Sequence, residues 1–362
     1  MRADGSISLR FRCPCRHVTL PQRVYSEVLR ASTRNNTETA TMAAVQTVEQ
    51  QLAAGGHCLA IRRTVEALTP RPWPSVVLQP HTQTGEWEVR VTTHFQETVA
   101  LQWDRTTQDV VCEIENALTT RSTPSTSTHV LRIKATWRCH RLSFSGAVVV
   151  EAPVPNVFVP RVVLAASGVA RGTLHLPHTL RYLAAGASSH ASLQLHTVTP
   201  TTTRRSVRAR MERAFLSASD SACATWRIGA GVVATVSQGL RVCCDLHGEA
   251  TVRVCDGATL HAQELAVHAH ARGRVVVGDT SPTARTRTSV RHMELCAHHA
   301  AYIKVGAVCR TRSSRSHRQD MHSPTLTGRC AERASIELAR PMARTIQHHK
   351  LVVGPRASLR WV

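Results

Sequence analysis

The sequence is poor in aromatic side chains and in long apolar runs, and each shortage narrows what the chain can be. Aromatic residues make up 4% of the chain although hydrophobic residues make up 42%, so a core has to be built from Val, Leu, Ala and Cys. The longest apolar stretches are broken by Pro and Arg, as in AVVVEAPVPNVFVPRVVLAASGV. We therefore expect no transmembrane helix.

Acidic residues and lysine are also scarce, which leaves the chain strongly basic. Lys and Arg total 45 against 24 Asp and Glu, a formal net charge of +21. Nearly all of the positive charge is arginine, because lysine occurs only at Lys134, Lys304 and Lys350. Such a balance favours an acidic partner: nucleic acid, anionic lipid or an acidic protein. The alternative is a coding bias that spreads arginine over a solvated surface, since basic residues occur throughout the chain.

The amino-terminal residues bear on the cellular compartment. The 12 cysteines would indicate a disulfide framework only in an exported chain, and the first 20 residues lack the apolar core of a secretory signal. We therefore predict an intracellular, reduced protein. The segment before Glu27 is similar to a mitochondrial presequence, because it is rich in arginine. Those arginines are Arg2, Arg10, Arg12, Arg16 and Arg23.

Patterning divides the chain into four regions. Residues 1–37 are irregular or presequence-like. Residues 38–80 are predicted to form a helical amino-terminal cap, because Val45 and Val48 begin a spacing near 3.6 residues and prolines close the region. Residues 87–308 carry period-two alternation. Residues 309–362 are rich in Arg, Ser and His, which predicts a basic, largely disordered tail.

The alternating region repeats one unit, a short strand, a small-residue corner and a second short strand. VVLAASGVARGTLHL, LRYLAAGASSHASLQL, LRVCCDLHGEATVRV and LAVHAHARGRVVV all have this form. Leu240 to Leu265 spans one unit, and Met293 begins the next. Because no unit can bury its apolar face alone, the repetition predicts an all-β parallel β-solenoid, in which stacked coils share one core. A β-sandwich is the alternative fold.

The same residues resemble the auto-transporter adhesin head GIN domain family, a domain of unknown function. The closest match is VPNVFVPRVVLAASGVARGTLHL, residues 154–176, and the resemblance extends over 87–308 with insertions. The glycines that correspond to the family's corners are Gly168, Gly186 and Gly229 or Gly231. The resemblance implies a right-handed parallel β-solenoid, and it supplies no catalytic residues.

Cysteine and histidine are dense in the repeats, which raises the question of a metal site. Cys243 and Cys244 are adjacent, so a strand would point them to opposite faces, and no C-x-x-C pair exists in the chain. We predict no metal and no cofactor, with most cysteines acting as small hydrophobic residues. A structural metal is the alternative, because four side chains could meet on neighbouring coils. They are His268, His270, His298 and Cys296.

Signals for an enzyme are few, and we predict a protein without catalytic activity. No G-x-S-x-G, Walker or dinucleotide-binding motif occurs. Some β-solenoids act on polysaccharides, a chemistry that needs paired carboxylates on one surface, so this is kept as an alternative. The available carboxylates show no evident pairing in sequence. They are Asp245, Glu249, Asp256 and Glu264.

Two basic segments could contact an acidic partner, at 204–213 and at 310–318. Either could grip phosphates as a flexible arm, and the first could instead be a solvated helix with Arg204, Arg205 and Arg208 on one face. Neither segment has a base-stacking aromatic side chain, so nucleic-acid binding would be non-specific and sensitive to salt. The candidate contact residues are Arg204, Arg205, Arg208, Arg210, Arg310, Arg312 and Arg315.

The function predicted from the sequence is that of a non-catalytic β-solenoid scaffold that binds a macromolecular partner, in first place a protein. A basic nucleic-acid-binding accessory protein is the alternative. Three polar insertions, 119–128, 199–221 and 279–291, are predicted to supply adaptable contacts beside rigid strand faces.

Overall fold

The structure is a computed structural model, and it describes much of the chain from residue 45 onward. The described ranges are 45–51, 58–63, 72–80, 87–94, 97–104, 109–116, 126–134, 141–153, 160–198, 206–278, 287–306, 325–343, 346 and 348–362. The presequence-like segment predicted at 1–37 lies outside them.

Strands account for almost all regular structure in these ranges. The first strands are β1 Val45–Gln51, β2 Cys58–Arg63, β3 Ser75–Pro80, β4 Trp87–Thr93, β5 Glu97–Asp104, β6 Asp109–Asn116 and β7 Ser127–Lys134. They are followed by β8 Arg141–Ser145, β9 Val149–Ala152, β10 Arg161–Ser167, β11 Arg171–His175, β12 Thr179–Ala187, β13 Ser192–Thr197, β14 Val207–Ala218, β15 Cys223–Ile228 and β16 Val232–Cys244. The last are β17 Glu249–Val254, β18 Thr259–Ala269, β19 Arg274–Val277, β20 Arg287–Ala297, β21 Tyr302–Val305, β22 Thr325–Cys330, β23 Ser335–Leu338, β24 His348–Val353 and β25 Ser358–Trp361.

From β7 onward successive strands alternate between two sheets, so each coil of the chain gives one strand to each sheet. Sheet A has the order β1-β7-β4-β3-β9-β11-β13-β15-β17-β19-β21-β23-β25, and sheet B the order β24-β22-β20-β18-β16-β14-β12-β10-β8-β2-β6-β5. Among the described strands from β8 onward, every pairing between neighbouring coils is parallel. A β-sandwich pairs its strands antiparallel, so the fold is β-solenoid-like, as the repeats predict.

The register stacks equivalent residues of successive units, which confirms the repeat. Leu240 pairs with Leu265, and Leu265 pairs with Met293. All three are buried and belong to a single core cluster between the sheets. The buried row next to the corner contains only small side chains, and the tight turn to the other sheet follows directly. Its members are Ala187, Ala218, Cys244, Ala269, Ala297 and Cys330.

The corner between the two strands of a unit is a tight turn with one residue at positive φ. Gly168 takes this position in one coil, and non-glycine residues take it in others, namely Ser189, Asp220, Leu246, Ala271, His299 and Glu332. The strain, about 1–2 kcal/mol for a non-glycine residue, is offset by stacking hydrogen bonds such as His247 N–H to the Asp220 carbonyl at 2.8 Å. Two predicted corner glycines are misplaced: Gly186 lies inside β12, and Gly231 lies in the opposite corner, before β16.

The helical cap predicted over 38–80 is wrong, since β1, β2 and β3 occupy the described part of that region. In β2, Leu59 and Ile61 point into the core, and the strand pairs in parallel with β8, so tertiary packing overrides the helical spacing. The uninterrupted parallel stack starts at β2 and β3, which pair in parallel with β8 and β9. Antiparallel pairs are found at this end of the sheets, between β3 and β4, β4 and β7, and β5 and β6. A buried ion pair between Arg63 and Glu97, with side chains 0% and 1% exposed, ties β2 to β5.

The predicted disordered tail is also wrong for its described part. Strands β22 to β25 continue both sheets with two more coils, and Leu326, Ile336 and Leu338 are buried in them. The single described helix, α1 Arg340–Ala343, lies between β23 and β24. No helix in the described ranges is long and apolar enough to cross a membrane.

Candidate functional site

Arg208 and Arg210 lie on a regular strand. The strand β14 sits between β12 and β16 in sheet B. Its alternation buries Ala209 and Met211 and exposes Arg208 and Arg210 on one outer face. The interpretation of 204–213 as a flexible arm or a helix is therefore wrong from residue 207 onward.

The other predicted contact residues cannot be placed in the same way. Arg204, Arg205, Arg310, Arg312 and Arg315 lie outside the described residues. Of the three predicted insertions, residues 126–128, 206–221 and 287–291 are described, and they lie almost entirely in strands or tight turns. Any contact that these described residues make with a partner would therefore come from a rigid sheet rather than from an adaptable loop.

A row of paired exposed residues crosses sheet B and divides its outer surface into two facets, and β16 carries one extra residue, a β-bulge, on this row. The register shifts between Met211 and Arg213 and again between Val236 and Leu240. At this level two consecutive residues face solvent in each of the five strands β12, β14, β16, β18 and β20, and we name the set the bulge row. Its members are Arg181 and Tyr182, Glu212 and Arg213, Ser237 and Gln238, Gln263 and Glu264, and Arg291 and His292. We call the outer residues on the amino-terminal side of this row the first facet and those on its carboxy-terminal side the second facet.

The first facet and the adjoining part of the bulge row carry a concentrated positive charge. We name this surface the arginine face, and it consists of Arg161, Arg181, Tyr182, Arg208, Arg210 and Arg213, all exposed. The register runs from Arg161 through Tyr182 to Arg213 on three neighbouring strands. Tyr182 is 37% exposed and lies in register between Arg161 and Arg213.

Ion pairing neutralises little of the arginine face. Arg181 lies 3.5 Å from Glu212, but both side chains are exposed, and such a surface pair contributes about 0–1 kcal/mol. Arg208 and Arg210 form no ion pair with any residue that the structure describes. Both arginines are therefore available to an acidic partner.

The second facet contains a row of thiol and imidazole groups. Cys243, His268 and Cys296 pair in register on β16, β18 and β20, and all three are partly exposed. Cys244 is buried, which confirms that the adjacent cysteines point to opposite faces. Burial raises the pKa of the Cys244 thiol to about 12. The seven cysteines whose side chains the structure describes form no disulfide.

His268, Glu294 and Cys296 form a compact cluster on this facet. One potential ligand atom from each lies within 4.8 Å of the other two. His268 Nε2 is 4.0 Å from Glu294 Oε1, and the Cys296 thiol is 4.0 Å from the same oxygen. Burial, opposed by the Glu294 carboxylate, lowers the pKa of His268, whereas burial raises the pKa of the Cys296 thiol.

The remaining predicted histidines lie at the corner, apart from that cluster. His270 Nδ1 is 3.2 Å from Asp245 Oδ1, and the His270 ring lies edge-on to the ring of His299 at 4.5 Å. His299 pairs with Glu332. His298 is 6.3 Å from His270 between ring centroids. The prediction that His268 could meet Cys296 is therefore confirmed, while His270 and His298 belong to the corner.

The four carboxylates considered for polysaccharide chemistry are spread over the molecule. Asp245 lies at the corner, Glu249 begins β17 in sheet A, Asp256 lies in the opposite turn and Glu264 belongs to the bulge row. They do not form a pair on one surface, which such chemistry needs.

Two members of these sites were missed in the sequence. Tyr182 could have been noticed as an aromatic residue next to Arg181 on a predicted strand. Its position beside Arg161 and Arg213 follows only from the pairing of neighbouring coils. Glu294 lies two residues before Cys296, so alternation on β20 could have placed both on one face. Only the role of Tyr182 requires neighbouring coils to be aligned.

Comparison with family models, curated proteins and solved structures gives no match. The class of protein is therefore stated from the fold alone: an all-β, repeat-like chain with two long, mostly parallel sheets.

Proposed function

We propose that this protein is a non-catalytic scaffold whose arginine face binds an acidic surface of a protein partner. The observation that carries the proposal is the row Arg161–Tyr182–Arg213, flanked by Arg208 and Arg210 on the same exposed surface. Arginine and tyrosine dominate the binding energy of protein interfaces, because each combines a large contact area with directional polar groups.

The rigidity of sheet B supports this proposal. Parallel neighbours on both sides hold β12 and β14, so their backbones lose little freedom when a partner binds. Glu212 within the basic surface favours a partner with mixed charges, since a uniform row of phosphates would be repelled there. A protein therefore fits the arginine face better than a nucleic acid does.

The finer points of the fold belong to the same proposal. We infer that the coils wind right-handedly, because strands with right-handed twist joined by crossovers adopt that hand almost without exception. The resemblance to the GIN domain family has the same implication.

Site-specific photo-crosslinking tests the proposal. A photoreactive amino acid replaces Tyr182 on the arginine face, and in a control chain it replaces Thr251 on the outer face of sheet A. We expect protein adducts from position 182 in cells, and their loss when Arg208→Glu and Arg210→Glu are added. Adducts of equal yield at both positions would overturn the proposal. If position 182 gave adducts with nucleic acid and none with protein, the protein-binding proposal would be wrong and the nucleic-acid alternative would be supported.

A further inference from the structure

We propose that His268, Glu294 and Cys296 form a Zn²⁺ site on the second facet of sheet B, with water as the fourth ligand. Nitrogen, oxygen and sulfur are the three donor types that zinc uses in proteins, and three protein ligands with one open position is a common arrangement. This inference does not depend on the arginine face or on its partner.

The geometry is close to what zinc requires. Zn²⁺ bonds of about 2.0–2.3 Å in a tetrahedron place ligand atoms about 3.5 Å apart. The separations are 4.0 Å for His268 Nε2 to Glu294 Oε1, 4.0 Å for Cys296 to the same oxygen, and no more than 4.8 Å for His268 to Cys296. Small rotations of three partly exposed side chains would close these gaps, and the paired backbones of β18 and β20 would not have to move.

An orphaned atom points to a ligand at the same place. His268 Nε2 is buried from solvent and has no hydrogen-bond partner in the structure, although the side chain as a whole is 42% exposed. A buried polar atom without a partner is costly and calls for an explanation such as a bound ion. A zinc ion between the three side chains would satisfy it.

The register explains why only these residues form the cluster. The thiol of Cys243 stands one coil before His268 in the same row, so the spacing of about 4.8 Å per strand places it about 9.6 Å from Cys296. Cys243 is therefore close to His268 but outside the cluster. Zinc binding would release the proton of the Cys296 thiol to solvent, because the thiolate is the ligand.

Metal titration of the full-length protein tests the site. The protein is stripped with a chelator and titrated with Zn²⁺, and with Co²⁺ as a spectroscopic probe of thiolate ligation. We expect one equivalent of Zn²⁺ to bind, together with thiolate-to-cobalt charge-transfer absorption. Cys296→Ser should abolish that absorption and weaken Zn²⁺ binding at least tenfold, whereas the matched variant Cys243→Ser should change neither.

Two further variants keep the test decisive. His268→Ala and Glu294→Gln should each weaken Zn²⁺ binding while circular dichroism stays unchanged, because both side chains are partly exposed. If Cys296→Ser fails to fold, Glu294→Gln alone still reports on the site. Zinc binding below one equivalent, or binding that Cys243→Ser and Cys296→Ser reduce equally, would overturn the proposal.

Discussion

Replacing Leu265 by alanine should destabilise the protein by about 3–4 kcal/mol. Leu265 is 1% exposed and lies in register between Leu240 and Met293. Loss of three buried carbon atoms costs about 2.5 kcal/mol in transfer free energy, and the remaining cavity adds to this. The hydrogen-bonded ladders hold both neighbours about 4.8 Å away, so the cavity cannot collapse. Stability in a stacked repeat depends on nearest-neighbour interfaces, and this change weakens two of them.

Urea unfolding, followed by tryptophan fluorescence, to which the buried Trp226 contributes, measures the effect. The midpoint should fall without a large change in the slope. Val352→Ala is the matched control, because Val352 is 64% exposed and its truncation should cost less than about 0.5 kcal/mol. A cost below about 1 kcal/mol for Leu265→Ala would refute the stacked core.

Three other substitutions test separate parts of the structure. Gly172→Ala should cost about 1–3 kcal/mol in urea unfolding, because a Cβ there would lie 2.3 Å from Phe144 Cζ. Glu97→Ala should cost about 3–5 kcal/mol in the same assay, since it leaves Arg63 buried without its carboxylate. Burial lowers the pKa of His196, so the unfolded state takes up its proton first as the pH falls below about 6.5. The wild type should therefore lose more stability than His196→Gln between about pH 7.5 and about pH 5.5.

Each of these substitutions has a control elsewhere in the sheets. Gly239→Ala should be tolerated better than Gly172→Ala, because its nearest contacts are side-chain atoms 3.8 Å away. Glu115→Ala and His190→Gln remove exposed side chains and should leave stability unchanged. Equal costs within the glycine pair or the glutamate pair, or equal pH profiles for His196→Gln and wild type, would contradict the packing described.

The repeats predict the parallel stack correctly, but not its two ends, where the predicted helical cap and disordered tail contain strands in their described parts. Alternation and the spacing from Leu240 to Leu265 define one coil, and the register follows that spacing. The segments VQTVEQQ and CLAIRR are strands because partners far along the chain pair with them. The spacing of apolar residues within a short segment does not show which distant strand will pair with it. In the carboxy-terminal coils, four-residue strands such as SIEL were too short to stand out against a composition rich in Arg and Ser.

The candidate sites were only partly predictable for a related reason. Arg208 and Arg210 can be recognised in the sequence as part of a basic segment. His268 and Cys296 can be recognised as residue types that bind metals. Their neighbours on the surface depend on which residues of successive coils align. Loops of different length separate the coils, so a sequence spacing alone does not give that alignment.

Distances between spin labels along one outward row of sheet A test the stacking of coils most directly. Labels attached through a noncanonical amino acid at Thr173 and at Thr251, Lys304 or Arg360 are separated by three, five and seven coils. At about 4.8 Å per coil, the distances should be roughly 14, 24 and 34 Å. Distances that do not increase in proportion to the number of coils would contradict a parallel stack with equivalent residues in register.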